Sequence, residues 1–196
     1  MERDKRSVFR SRKAAHTWVA PTWEELVRDH SEQVFRLALR LTGNRHDAED
    51  LTQEVFIKVF RSIHRFEPGT IEGWLHRITT NLFIDSARRR SRFRESAHSH
   101  VPDFVWGEAD DPGALRDDVD FDHDVEAALA ALTPECRVAV VLCDIEGLSY
   151  DEIAQVLDIK LSAVRSRIHR GRTQLRAALE HRRPSSGRER YLGVNG

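Results

Sequence analysis

The densest chemistry in the chain lies between Lys160 and Arg183. Eight basic side chains there (Lys160, Arg165, Arg167, Arg170, Arg172, Arg176, Arg182 and Arg183) are set against one carboxylate, Glu180, for a net charge of +7. A cationic block of that size suits phosphate neutralisation, in which released counterions supply the affinity. Just ahead of it, Ser149 stands three residues before Glu152. That is the spacing of a capping box, in which hydroxyl and carboxylate each satisfy an orphan helix N–H. The stretch Ser149 to Arg172 (SYDEIAQVLDIKLSAVRSRIHRGR) therefore reads as a helix-turn-helix, with Ile153, Ala154 and Leu157 facing Val164 and Ile168 along one seam. Packing on that seam leaves Lys160, Ser162, Arg165, Ser166 and His169 on the outer side of the second helix. Side chains of these types read base edges in a major groove. Arg167, Arg170 and Arg172 on its flank grip phosphates. The turn needs a residue that tolerates positive φ, and the position falls to Asp158 rather than glycine.

A second constellation is acidic. Asp47, Glu49, Asp50 and Glu54, with Gln53 among them, place four carboxylates in eight residues. They would complement a basic partner face and steer its approach, the plainer alternative being a solvated acidic face. A divalent metal is the rival reading, but no His or further ligand completes a set, so no metal is expected. Nothing looks catalytic: no Ser, Cys or His has nucleophile–base spacing, and no glycine-rich loop could cradle a nucleotide. No cofactor and no enzymatic activity are expected. Cys136 and Cys143 lie seven apart in an apolar stretch, about 10 Å along a helix, too far for a disulfide, and read as reduced thiols.

These groups need helices to hold them. The first opens after Pro21 with Thr22 as cap and carries Trp23, Leu26, Val27, Val34, Leu37, Ala38 and Leu41 until Gly43 and Asn44 stop it. A second, Arg45 to Ile63, has Ala48, Leu51, Val55 and Val59 on one stripe. After Pro68 and Gly69, a third carries Ile71, Trp74, Leu75, Ile78 and Leu82 and runs into Arg88, Arg89 and Arg90. Beyond a gap, Val125, Leu129 and Leu132 mark a short helix ended or re-capped by Pro134. Val138, Val141 and Leu142 mark another, ended by Gly147, and the last helix carries Leu161, Val164, Ile168, Leu175 and Leu179. No strand pattern competes, so the fold class expected is all-α, as two small helical domains.

The 196 residues allow one ordinary domain or two small ones, and the near-zero net charge of −1 hides strong segregation. Residues 100–124 hold nine carboxylates against Arg116, a net of −8, with Pro102, Gly107, Pro112 and Gly113 and little periodicity. They read as a flexible acidic linker. The organisation expected is a basic mobile tail over 1–20, a helical domain over 21–95, the linker over 96–122, the helix-turn-helix domain over 123–182 and a tail over 183–196. No apolar run approaches the ~18 residues of a membrane span, and the charged first residues hold no signal-peptide core. A cytoplasmic protein without membrane insertion is expected. The tail carries +4 over residues 1–13, enough for weak DNA contact or for nothing.

Two blocks resemble the extracytoplasmic-function (ECF) sigma factors of the sigma-70 family. One is DAEDLTQEVFIKVFRSI (47–63) with GWLHRITTNLFIDSARRR (73–90); the other is LTPECRVAVVLCDIEGLSYDEIAQVLDIKLSAVRSRIHRGRTQLR (132–176). They stand in the family's order with a linker between, and within the family the chain is most similar to the sigma-E-type, envelope-stress branch. The resemblance implies a sigma region 2 domain followed by a region 4 domain, without region 3. It implies three partners: core RNA polymerase, promoter DNA (−35 duplex and −10 single strand) and an anti-sigma factor that holds the protein inactive until a stress signal. Asp47, Glu49, Asp50, Gln53 and Glu54 match the surface for the polymerase clamp helices. Phe66 to Asn81 match the part that reads the −10 element, giving Glu67, Gly69, Thr70, Trp74, Arg77 and Asn81 as contacts. Asn81, which donates and accepts together, is the favoured base reader, whereas Trp74 lies on the apolar stripe and reads first as core. Arg88 and Arg89, with Arg90 and Arg92, would hold phosphates of the opened strand or upstream duplex. The last helix would read the −35 element. A free-standing helix-turn-helix regulator and a recombinase are the rival classes; the first has no need of the acidic helix, and the second lacks its nucleophile or metal set.

Overall fold

A computed structural model describes residues 21–63, 70–96 and 122–182. Within them the fold is all-α, with no strand among the described residues. Helix α1 (Trp23–Thr42) begins in a complete capping box: the Glu25 N–H donates to Thr22 Oγ1 at 3.3 Å and the Thr22 N–H to Glu25 Oε2 at 2.9 Å. It ends at Gly43, whose φ of 79° is the left-handed stop that glycine adopts without steric cost. Asn44 at once caps α2 (Arg45–Ser62), its Oδ1 accepting from the Asp47 N–H at 2.8 Å. Two residues thus reverse the chain, and α1 and α2 pack as an antiparallel hairpin.

Helix α3 (Ile71–Ser96) has 26 residues and is about 39 Å long. It buries more than the stripe read from the sequence. Leu75, His76, Thr79, Thr80, Phe83 and Ile84 are buried, while Trp74, Ile78 and Leu82 are half-buried against the core. The reason is tertiary, since α3 packs on α1 and α2 and also on the helices beyond the linker. Thr79 and Thr80 tolerate this because their hydroxyls donate to the Leu75 and His76 carbonyls, each at 2.8 Å.

The second group is α4 (His123–Ala130), α5 (Pro134–Val140), α6 (Tyr150–Leu157) and α7 (Leu161–Ala178), closed by a 3₁₀ turn, Glu180–Arg182. Between α5 and α6, Val141–Ile145 form a π turn that the sequence reading took as plain helix. The Glu146 N–H reaches Val141 O at 3.0 Å, the Leu148 N–H reaches Leu142 O at 3.0 Å, and Gly147 sits at φ 74°. Helix α7 crosses α5 closely at Gly171. A Cβ there would lie 2.6 Å from Val140 Cγ2, so only hydrogen fits.

The two groups are not independent beads on a strap. Their buried residues join in one cluster, and α3 lies against α5 and α6. Arg137 of α5, only 9% exposed, donates to Leu41 O at the end of α1 at 2.7 Å and to Ala130 O at the end of α4. Its guanidinium carbon stands 5.7 Å from the Phe83 ring centroid on α3. Burial lowers the Arg137 pKa to about 10, with Arg90 adding to the effect, and it stays a cation at neutral pH. Glu146 meets Arg40 of α1 at 2.7 Å and the His76 ring of α3 at 3.7 Å. Burial pushes the Glu146 carboxyl up, but His76 and Arg40 together outweigh it and hold it below the ordinary carboxylate range.

Candidate nucleic-acid interface

The helix-turn-helix forms as its pattern requires. Ser149 caps α6 in a full capping box, accepting from the Glu152 N–H at 3.3 Å while its own N–H reaches Glu152 Oε2 at 2.8 Å. Asp158 ends α6 at φ 52° and ψ 49°, the left-handed residue of the turn. The Ile159 N–H then closes on Ala154 O at 3.1 Å, the six-to-one bond of a Schellman-type end. Ile153, Val156 and Leu157 are buried against Val164 and Ile168. Val156 joins the seam in place of Ala154, which is half-buried.

This seam fixes which way α7 presents its charge. Lys160, Ser162, Arg165, Ser166, His169 and Arg170 are exposed together on the outer side, and Arg167 is half-buried at its edge. Arg172 is different. Its guanidinium donates to both Asp144 carboxylate oxygens and also reaches the Tyr150 hydroxyl and Cys143 Sγ, each at 3.4 Å. Donating to the Asp144 carboxylate raises the Arg172 pKa further. Arg172 thus ties α7 to the π turn, and its hydrogen-bonding capacity is largely engaged there. Burial, followed by Asp144, pushes the Cys143 thiol up, away from the reactive thiolate. Cys136 is buried, and both cysteines are free thiols.

On α3 the expected −10 residues divide. Thr70 caps the helix, its hydroxyl accepting from the Gly73 N–H at 3.1 Å. Trp74 is packed half-buried against the core, as its stripe position implied. Arg77 lies 3.6 Å from Asp158 in the turn of the helix-turn-helix, and Arg88 donates to Glu135 at 3.1 Å. Asn81 and Arg89 are exposed. Arg90 stands 3.5 Å from Asp47. Glu67 and Gly69 lie outside the described residues, as do the 1–20 tail, nearly all of the linker and the 183–196 tail.

On α2, Asp47 is half-buried and held by Asn44 Nδ2 at 3.0 Å, so it belongs to the cap as much as to the surface. Glu49, Asp50, Gln53 and Glu54 are exposed along one side; Glu49 pairs with Arg45 at 2.8 Å and Asp50 lies 3.9 Å from His46. The sequence reading missed what continues that side. Ile57 is 51% exposed and Phe60 62% exposed. The signal was present, for both are large apolar residues lying off the Ala48–Leu51–Val55–Val59 stripe. It missed Arg137 and Glu146 too, because a charged residue in a helical pattern reads as solvated until a second domain covers it. Among the described residues no group of His, Cys, Asp and Glu is placed to hold a metal, and no helix is long and apolar enough to cross a membrane.

An all-helical, two-part protein with an outward basic recognition helix is the frame of a helix-turn-helix DNA-binding protein. Residues 26–93 match the family model for Sigma-70 region 2, and residues 122–175 match that for Sigma-70, region 4. The chain is 34% identical over 161 residues to the RNA polymerase sigma factor CarQ of Myxococcus xanthus, covering 80% of this chain and 88% of that protein. It is 60% identical over 156 residues to the ECF RNA polymerase sigma factor SigE of Mycolicibacterium smegmatis, covering 80% of this chain and 61% of that relative's length. Among solved structures it matches the sigma factor RpoE of Bartonella quintana, solved in complex with the anti-sigma factor NepR. The TM-score is 0.63 at 25% identity, covering 81% of this chain and 96% of that one. The chain belongs to the ECF sigma factors of the sigma-70 family.

Proposed function

We propose that this protein binds core RNA polymerase, directs it to a set of promoters and starts transcription there, acting in the cytoplasm by binding alone with no catalytic step of its own. The observation that carries the reading is the pairing of two surfaces on one chain: the basic outer side of α7 and the acidic side of α2. Lys160, Ser162, Arg165, Ser166 and His169 read −35 base edges, while Arg167 and Arg170 hold phosphates. Arg172 contributes through the position it gives α7. Asn81, exposed and able to donate and accept at once, reads an extruded −10 base, with Arg77, Arg88 and Arg89 on the adjoining backbone and Glu67, Gly69 and Thr70 as the further −10 contacts that the family resemblance implies. Trp74 supports that surface from below. Asp47, Glu49, Asp50, Gln53 and Glu54 meet a basic face of the polymerase.

The division of roles proposed is 21–95 for polymerase and −10 DNA and 123–182 for −35 DNA, with 96–122 joining them in sequence. An anti-sigma factor controls the chain in a stress response. The structural relative crystallised with NepR supports that partner class. Reconstitution with core polymerase tests the whole. Promoter-dependent transcription that requires this chain is expected, and tight duplex binding without polymerase marks a free-standing regulator instead. Arg165→Ala weakens −35 recognition, and Asn81→Ala impairs strand opening while sparing −35 binding. An unchanged −35 base preference removes Arg165 from the reading face, and equal loss of both functions removes Asn81 from its role.

A further inference from the structure

The acidic side of α2 ends in an apolar groove. Trp23, Gln53, Phe56, Ile57, Phe60 and Arg61 line an open groove of about 650 Å³. The Trp23 ring stands edge-on to Phe56 at 5.8 Å and to Phe60 at 5.3 Å. An aromatic groove of this kind, with Ile57 and Phe60 more than half exposed, marks a docking surface.

The chain supplies a fitting occupant. Residues 1–20 join α1 through Pro21 and Thr22, next to Trp23, at the mouth of the groove. They contain Trp18 and Val19 close to the junction and, further out, Arg3, Lys5, Arg6, Arg10, Arg12 and Lys13 against Glu2 and Asp4. Helices α1 and α2 are antiparallel, so a segment that turns back at Pro21 meets the groove first. It then runs toward the N-terminal end of α2, over Glu54, Asp50 and Glu49. From Ile57 to Asp50 is about 10 Å along the helix. The five or six residues from Trp18 to Lys13 and Arg12 span up to about 18–22 Å extended, so the basic residues reach the carboxylates. Apolar side chains thus fall where the surface is apolar and cations where it is acidic.

We infer that residues 1–20 dock on α2 in the same molecule, with Trp18 and Val19 in the Trp23–Ile57–Phe60 groove and Arg10, Arg12 and Lys13 along the Glu49–Asp50–Glu54 side. Tethering gives the segment an effective concentration in the millimolar range, so even a weak contact is populated. The docked segment covers the surface assigned above to polymerase; this consequence rests on that assignment, whereas the docking itself does not.

Photo-cross-linking of the full chain with Trp18→p-benzoylphenylalanine tests the docking without polymerase. Cross-links within one molecule to residues 53–61 are expected, at a yield independent of protein concentration. The surface pair Ile57→Ser with Phe60→Ser lowers that yield severalfold, and so does Arg10→Glu with Arg12→Glu and Lys13→Glu at low salt, with the second effect fading at 0.5 M salt. Cross-links between molecules, which would mark a second copy as occupant, overturn the inference. So do cross-links spread evenly over the chain, a yield indifferent to the groove variants, or cross-links to residues 53–61 that form only when DNA is added. Deleting residues 1–20 should then tighten binding to core polymerase about two- to tenfold. Unchanged affinity overturns the covering of that surface. Failure of both chains to bind polymerase overturns the polymerase assignment and leaves the cross-links standing.

Discussion

Arg137→Met is the sharpest probe of how the two halves are joined. The guanidinium satisfies carbonyls at the ends of two helices, Leu41 on α1 and Ala130 on α4, and lies beside Phe83. Methionine fills similar volume but donates nothing. Each buried carbonyl left without a partner costs about 1–3 kcal/mol, and the lost cation–ring contact about 0.5–1 kcal/mol. Against this, a buried cation is removed, and its Nε has no hydrogen-bond partner among the described residues, so part of its desolvation was never compensated. The net expected loss is about 3 kcal/mol, which for a chain of this size lowers Tm by about 6–12 °C. Circular dichroism melts and urea titrations measure it, with Arg90→Met as control. Arg90 is half-exposed and pairs with Asp47 at 3.5 Å, worth less than about 1 kcal/mol. The unfolding transition should also broaden or split, because each half keeps its own helices while their docking weakens. A loss no larger than that of the control would refute the reasoning, since it would mean that the two carbonyls find other partners and that Arg137 does not hold the halves together.

Other consequences follow from single contacts. Gly171→Ala should destabilise by about 1–3 kcal/mol in urea titrations, because the new methyl must push Val140 or the α5 backbone aside; a variant as stable as the parent would mean that α7 can shift freely. Ser149→Ala removes the hydroxyl half of the α6 cap and should cost about 1 kcal/mol, with Ser149→Asp restoring most of it. Glu146 has a depressed carboxyl pKa, so its contribution is complete above the ordinary glutamate value of about 4.3 and is lost as pH falls through the lower folded value. Urea midpoints should therefore drop below about pH 4, and Glu146→Gln should flatten that part of the profile.

Much of this protein could be read from one dimension. Helix starts and stops are local events, so Thr22, Gly43, Ser149 and Asp158 announced their places by residue type and spacing, whereas Asn44, read only as part of the stop of α1, also caps α2. The outer side of α7 was legible for the same reason: once Val164 and Ile168 face the seam, helical periodicity alone places Lys160, Arg165 and His169 opposite. What the residues could not announce was the meeting of the two halves. Burial of His76 and Arg137, and the partial burial of Glu146, depend on surfaces far apart in sequence coming together, and a charged side chain carries no mark of the partner that will cover it. The same holds for the contacts of Arg172, which meets Asp144 only because the π turn brings that carboxylate within reach. Short-range patterns fix helices because hydrogen bonds and caps act within a few residues, whereas which charges meet water, DNA or one another is decided only when the helices pack.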